Sequence, residues 1–111
     1  MKKFNYYTPR KYENYIEEFV YSTSNRLRDY LNYLQNQIPK DSDELHYIIH
    51  DLLLTKKVLS IFQSEHFHDS NEHISIDFKY LLYSQSYELS VLIDRIIIKL
   101  LENYFSKNGW I

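Results

Sequence analysis

From Phe78 onward the apolar residues return every three or four positions: Leu81, Leu82, Leu89, Leu92, Ile93, Ile96, Ile97, Leu100, Leu101, Tyr104 and Phe105. A helix turns once in 3.6 residues, so this spacing keeps the side chains on one face. Strand-like alternation is confined to Ile74, Ile76 and Phe78. The pattern predicts a helix over 76–107, capped by Ser75 or Asp77 at its start. Lys107 would oppose the negative end of its dipole, and Gly109 is placed for a left-handed C-terminal cap. Such a helix is roughly 45 Å long at about 1.5 Å per residue. Around Ile96-Ile97-Ile98 its apolar surface covers more than half the circumference. A stripe that wide needs two neighbouring helices or a partner chain.

The same period runs through Tyr12, Ile16, Phe19, Val20, Thr23, Leu27, Tyr30, Leu31, Leu34 and Ile38. Thr8-Pro9 is a helix start, because proline fits the first helical position, and Pro39 ends it. A helix over 9–38 is expected. Asp41 and Glu44 have the spacing of a capping box, with Ser42 as the alternative cap, and open a helix over 42–64, with Leu45, Ile48, Ile49, Leu52, Leu53, Leu59 and Phe62 on its apolar side. Residues 1–8 form a basic, aromatic arm, and residues 65–74 form a His-rich loop. The short connection at 39–41 makes the first two helices neighbours of opposite direction. The predicted fold is all-α: one domain, 1–111, an antiparallel up-down-up bundle of three long helices. Spare apolar surface at Leu53, Leu54, Ile97, Ile98, Leu101 and Phe105 marks an interface, so dimerisation is one way to complete the bundle.

Composition sharpens this in three ways. One Gly and 2 Pro suit long helices with few turns. Alanine, the best helix former, is absent, so large side chains packed together must hold the helices. Abundant Ile, Asn, Lys, Tyr and Phe are the mark of an AT-rich gene, which discounts the 12 Tyr as a functional signal. A net charge of −2 gives no general attraction to nucleic acid or an acidic membrane. With 0 Cys there is neither a disulfide framework nor thiol chemistry. No apolar leader follows Lys2 and Lys3, and no run approaches the ~20 residues of a membrane span. A soluble, cytoplasmic protein is expected.

The candidate chemistry is sparse. His66, His68 and His73, beside Glu65, Asp69 and Glu72, are the densest potential metal ligands, although His-x-His fixes neither a fourth ligand nor a geometry. His46 and His50 share one helical face, but no Glu stands where a zinc-protease helix requires one. His50-Asp51 resembles the dipeptide of HD-type phosphohydrolases, but the sequence offers no further ligands for such a site. Lys2, Lys3, Arg10 and Lys11, interleaved with Phe4, Tyr6 and Tyr7, are the nucleic-acid candidates. Two small-polar patches, Tyr21-Ser22-Thr23-Ser24-Asn25 and Tyr83-Ser84-Gln85-Ser86-Tyr87, interrupt the first and last helices. With Thr23 and Gln85 at core-facing positions, they imply either a small polar cavity or a polar layer that fixes register. Arg26, Arg28, Asp94 and Arg95 read as solvated surface charges.

No phosphate-cradling loop, nucleophile elbow or paired-carboxylate site is present. The expectation is a non-enzymatic helical module without cofactor that binds another protein. A small inhibitor, immunity protein or regulator carried by a phage or plasmid of an AT-rich bacterium would fit, and so would a homodimer. The alternatives are a metal-binding protein using His66, His68 and His73, or a weak nucleic-acid binder using its basic arm.

Overall fold

The computed structural model describes the backbone of residues 9–65, 67 and 74–109, and side chains from Asn14 onward within them. Among the described residues the chain forms helices and no strand: α1 (Pro9–Asn36), α2 (Ser42–Ile61) and α3 (Ile76–Lys107). None of these helices is long and apolar enough to cross a membrane.

Local chemistry sets the ends. Helix α1 stops at Asn36, two residues short of the expected 38. Pro39 disfavours helical backbone in the residue before it, and the last turn closes through Gln37 N–H donating to the Tyr33 carbonyl at 2.8 Å. Asp41 caps α2 by accepting from the Glu44 N–H at 2.8 Å, and Ser75 caps α3 by accepting from the Phe78 N–H at 3.2 Å. Helix α2 ends at Ile61, before the expected 64. There the chain tightens into 3₁₀ turns: Phe62 bonds back to Leu59, Gln63 to Ser60 and Ser64 to Ile61. Beyond α3, Gly109 takes a φ of 79°, the left-handed region open to a residue without a Cβ.

The core follows a seven-residue repeat. Ile16, Val20, Thr23 and Leu27 on α1, Leu45, Ile48, Leu52, Thr55 and Leu59 on α2, and Leu82, Ser86, Leu89, Ile93, Ile96 and Leu100 on α3 are buried. Steps alternating between three and four residues are those of side chains interlocking along nearly parallel helix axes. The core-facing member of the second polar patch is Ser86, fully buried, whereas Gln85 is exposed. One step along a helix is about 100°, so a one-residue shift in register moves a side chain from seam to rim.

Helix α3 packs closely on both α1 and α2, while α1 and α2 are joined mainly by the tips of long side chains. Tyr33 meets Glu44, Tyr30 meets Asp51 and Arg26 meets Thr55. Helix α2 is the short member, with 20 residues against 28 and 32. Just past its end, Phe62 stacks edge-on against Phe19 of α1 at 5.8 Å, and Gln63 donates to Ser90 of α3 at 3.2 Å. The first turns of α1 and the stretch of α3 before Ser90 therefore continue past the level where α2 stops. The buried Phe67 and Ile74 tuck the ends of the connecting segment against the core.

Candidate functional site

The longer reach of α1 and α3 leaves a groove between them with a volume of about 430 Å³. Its floor is apolar: Ile16 and Val20 on α1, and Phe78, Leu82 and Leu89 on α3. Its rim is polar and outward-facing, with Glu17, Tyr21 and Ser24 on one side and Gln85 and Glu88 on the other. Leu81 completes the rim and is 51% exposed. The groove lies on the side of the α1–α3 seam turned away from α2. On α1, Glu17, Tyr21 and Ser24 stand about half a helical turn from Phe19, Arg26 and Tyr30, which point to α2. Tyr21, Ser24 and Gln85 belong to the two small-polar patches, so those patches meet at one surface.

Among the described residues the charge on the rim has one sign. Glu17 and Glu88 are its carboxylates, no Lys or Arg lines it, and neither acid has a hydrogen-bond or ion-pair partner among the described residues. A further apolar stripe continues on the other side of α3. Ile76, Tyr80, Tyr83 and Tyr87, spaced by four, three and four, are 82%, 76%, 47% and 56% exposed. They share the face of α3 that carries Asp94, which pairs with Lys56 of α2 at 2.7 Å. They thus extend the α2-facing side of α3 beyond the end of α2.

Between α1 and α2 lies a hydrogen-bonded network. The Tyr30 hydroxyl donates to Asp51 Oδ2 at 2.7 Å, and Arg26 Nη2 donates to Thr55 Oγ1 at 2.6 Å. Thr55 in turn donates to the Asp51 carbonyl at 2.8 Å, and Arg26 Nε stands 3.9 Å from Asp51 Oδ2. The Tyr33 hydroxyl donates to Glu44 Oε1 at 2.7 Å. Burial, reinforced by its bond to Glu44, holds the Tyr33 phenol at about 12. Burial and Asp51 likewise push the Tyr30 phenol well above its ordinary value. Both tyrosines are locked as donors, a structural role with no proton to give at neutral pH.

The sequence-predicted sites fall as follows. Leu53, Leu54 and Ile98 are exposed, at 51%, 51% and 56%, whereas Ile97 and Leu101 are half-buried against the core. Phe105 is half-buried and lies edge-on to Tyr104 at 5.6 Å. His46 and His50 are exposed, with rings parallel within 12° and 6.2 Å apart. Among the described residues no group of three His, Cys, Asp or Glu side chains gathers as a metal site. His66, His68, His73, Lys2 and Lys3 lie outside the described residues. Arg10 and Lys11 are in the first turn of α1, their side chains likewise outside the description. Arg26 and Asp94, expected as plain surface charges, each tie two helices together.

Comparison with known protein families, curated proteins and solved structures finds no match to this chain.

Proposed function

We propose that this chain is a non-enzymatic helical module that binds another protein, with the end of the bundle not covered by α2 as its binding end. The carrying observation is the acid-rimmed groove between α1 and α3, with an apolar floor and the half-exposed Leu81 at its edge. Apolar surface gathered in one place and bordered by polar groups is the usual mark of a recognition site, and tyrosines such as Tyr21, Tyr80 and Tyr83 suit such surfaces. The order of contacts between α1 and α2, and of Lys56–Asp94 and Gln63–Ser90 between the end of α2 and α3, supports an antiparallel, up-down-up course for the helices. On this reading the protein works in the cytoplasm as an inhibitor, an immunity factor or a regulator.

The test is capture from native host lysate with the tagged full chain, with and without nuclease, compared with Leu81→Glu in the groove and Ile98→Glu outside it. A stoichiometric protein that survives nuclease, is lost with Leu81→Glu and is kept with Ile98→Glu is the expected result. Retention by Leu81→Glu, or only nuclease-sensitive material, defeats the proposal.

A homodimer formed on Leu53, Leu54 and Ile98 is a second reading, favoured by their exposure of about half or more. Light scattering reads it directly: a monomer at high protein concentration removes it.

A further inference from the structure

Resting on that reading, we infer that the occupant of the α1–α3 groove is a basic amphipathic helix of the partner protein, presenting apolar side chains to the floor and cations to Glu17 and Glu88. Seven residues separate Glu17 from Ser24 on α1, and seven separate Leu81 from Glu88 on α3. Each wall of the groove is therefore about two helical turns long, roughly 10 Å. A partner helix lying in it would bury the side chains of about two turns, and apolar residues three and four apart would share the floor. The volume of about 430 Å³ accommodates a few such side chains rather than a whole domain face. Ile16, Val20, Leu82 and Leu89 at the floor are themselves buried, so the apolar complement is offered chiefly to the half-buried Phe78 and the exposed Leu81.

Charge selects the sign of the partner. Glu17 and Glu88 stand on opposite walls, without partners among the described residues. An acidic helix placed there would bring carboxylates against two unneutralised carboxylates, whereas Lys or Arg flanking its apolar face finds both of them. Tyr21, 71% exposed on the α1 wall, adds an aromatic face over which a cation is attracted. The α1–α2 network draws on other acids, Asp51 and Glu44, and neither groove acid takes part in it.

The experiment uses two fluorescein-labelled helical peptides of the same length, about 15 residues, a length at which helicity is marginal alone and is gained on binding. One carries leucines at helical spacing with lysines elsewhere, and the other has glutamate in place of lysine. Fluorescence anisotropy with the full-length protein is expected to show binding of the lysine peptide alone. Glu17→Gln with Glu88→Gln should weaken it by about tenfold or more, since removal of opposed charges at close pairs acts on affinity at this scale. Glu102→Gln, an exposed acid at the far end of α3, should leave it unchanged. Amide shift perturbations should centre on Ser24 and Gln85.

Equal binding of both peptides, binding of neither, or equal loss in Glu102→Gln overturns the inference. Binding that emerges only when Lys2 and Lys3 are both changed to Glu overturns it in favour of the chain's own basic arm. A dimer dissolved by Glu17→Lys overturns it in favour of a second copy. If the lysate partner is lost with Leu81→Glu yet the peptides show no charge preference, the binding-module reading survives and this inference alone fails.

Discussion

Three consecutive isoleucines on α3 share one chemistry and three environments. Ile96 is 0% exposed, Ile97 is half-buried against the core, and Ile98 is 56% exposed. Truncation to alanine at each position removes the same atoms, so differences in cost report burial. At Ile96 the lost transfer energy and the cavity left behind should together cost about 3–4 kcal/mol. At Ile97 about 1–2 kcal/mol is expected. At Ile98 less than half of the side chain leaves water, and alanine is the better helix former by about 0.4 kcal/mol, so the net change should lie within about 0.5 kcal/mol of zero. For 111 residues the unfolding entropy is about 230 cal/mol/K, so the Ile96→Ala loss lowers Tm by about 15 °C. That is a large part of the ~5–15 kcal/mol that holds a domain together. Ile96→Val, at about 1 kcal/mol, provides a gentler step if the alanine variant is poorly folded. Urea unfolding followed by far-UV circular dichroism, at two protein concentrations, measures all four variants. A cost at Ile98 equal to that at Ile96 and independent of concentration would refute the burial assigned to this turn. A cost at Ile98 that appears only at the higher concentration would instead place a second copy on that face.

The α1–α2 network makes its own predictions. Tyr30→Phe should cost about 1–2 kcal/mol, because it removes a donor to a carboxylate that water can partly replace, and a double-mutant cycle with Asp51→Asn should show coupling of at least about 0.5 kcal/mol. Folded-state phenol pKa values raised above the unfolded value of about 10 contribute stability that is intact below pH 10 and is lost as pH rises through the folded value. Stability should thus fall between pH 10 and about 12, where Tyr33 titrates, and Tyr33→Phe should flatten that fall in urea titrations taken at each pH. Lys56→Ala should change stability by less than about 1 kcal/mol, because its pair with Asp94 is exposed on both sides; a larger loss in thermal melts would show that the pair is screened from solvent.

Punctuation was the most legible part of this chain. Asp41, Ser75 and Gly109 act through backbone chemistry within a few residues of themselves, so a single sequence carries the signal. The three-and-four spacing of apolar positions was legible because it follows directly from the helical period. Which of two adjacent residues faces the seam was harder: Gln85 was expected inward, and Ser86 is the buried one. That choice depends on the rotation of α3 against α1, a tertiary quantity. The small-polar patches were visible, but the acidic rim was not. Glu17 and Glu88 are 71 residues apart, and each alone looks like an ordinary solvated charge. Tyr30 read as part of the apolar stripe and Tyr33 carried no assignment, and only the spacing between α1 and α2 turns their hydroxyls into bridges.

The shortness of α2 has a consequence for how the molecule opens. Where all three helices overlap, an amide of α3 exchanges with solvent only when the whole bundle unfolds. Before Ser90, α3 has α1 and the tucked ends of the connecting segment beside it, and less apolar surface to lose on separating. Helix α3 should accordingly divide into two cooperative units, with amides near Leu81 exchanging through a smaller, more frequent opening than those near Ile93. A partner seated in the groove must leave before either unit opens, so it would slow exchange at Leu81 and Gln85 and, by raising the stability of the whole bundle, at Ile93 and Ile96 as well.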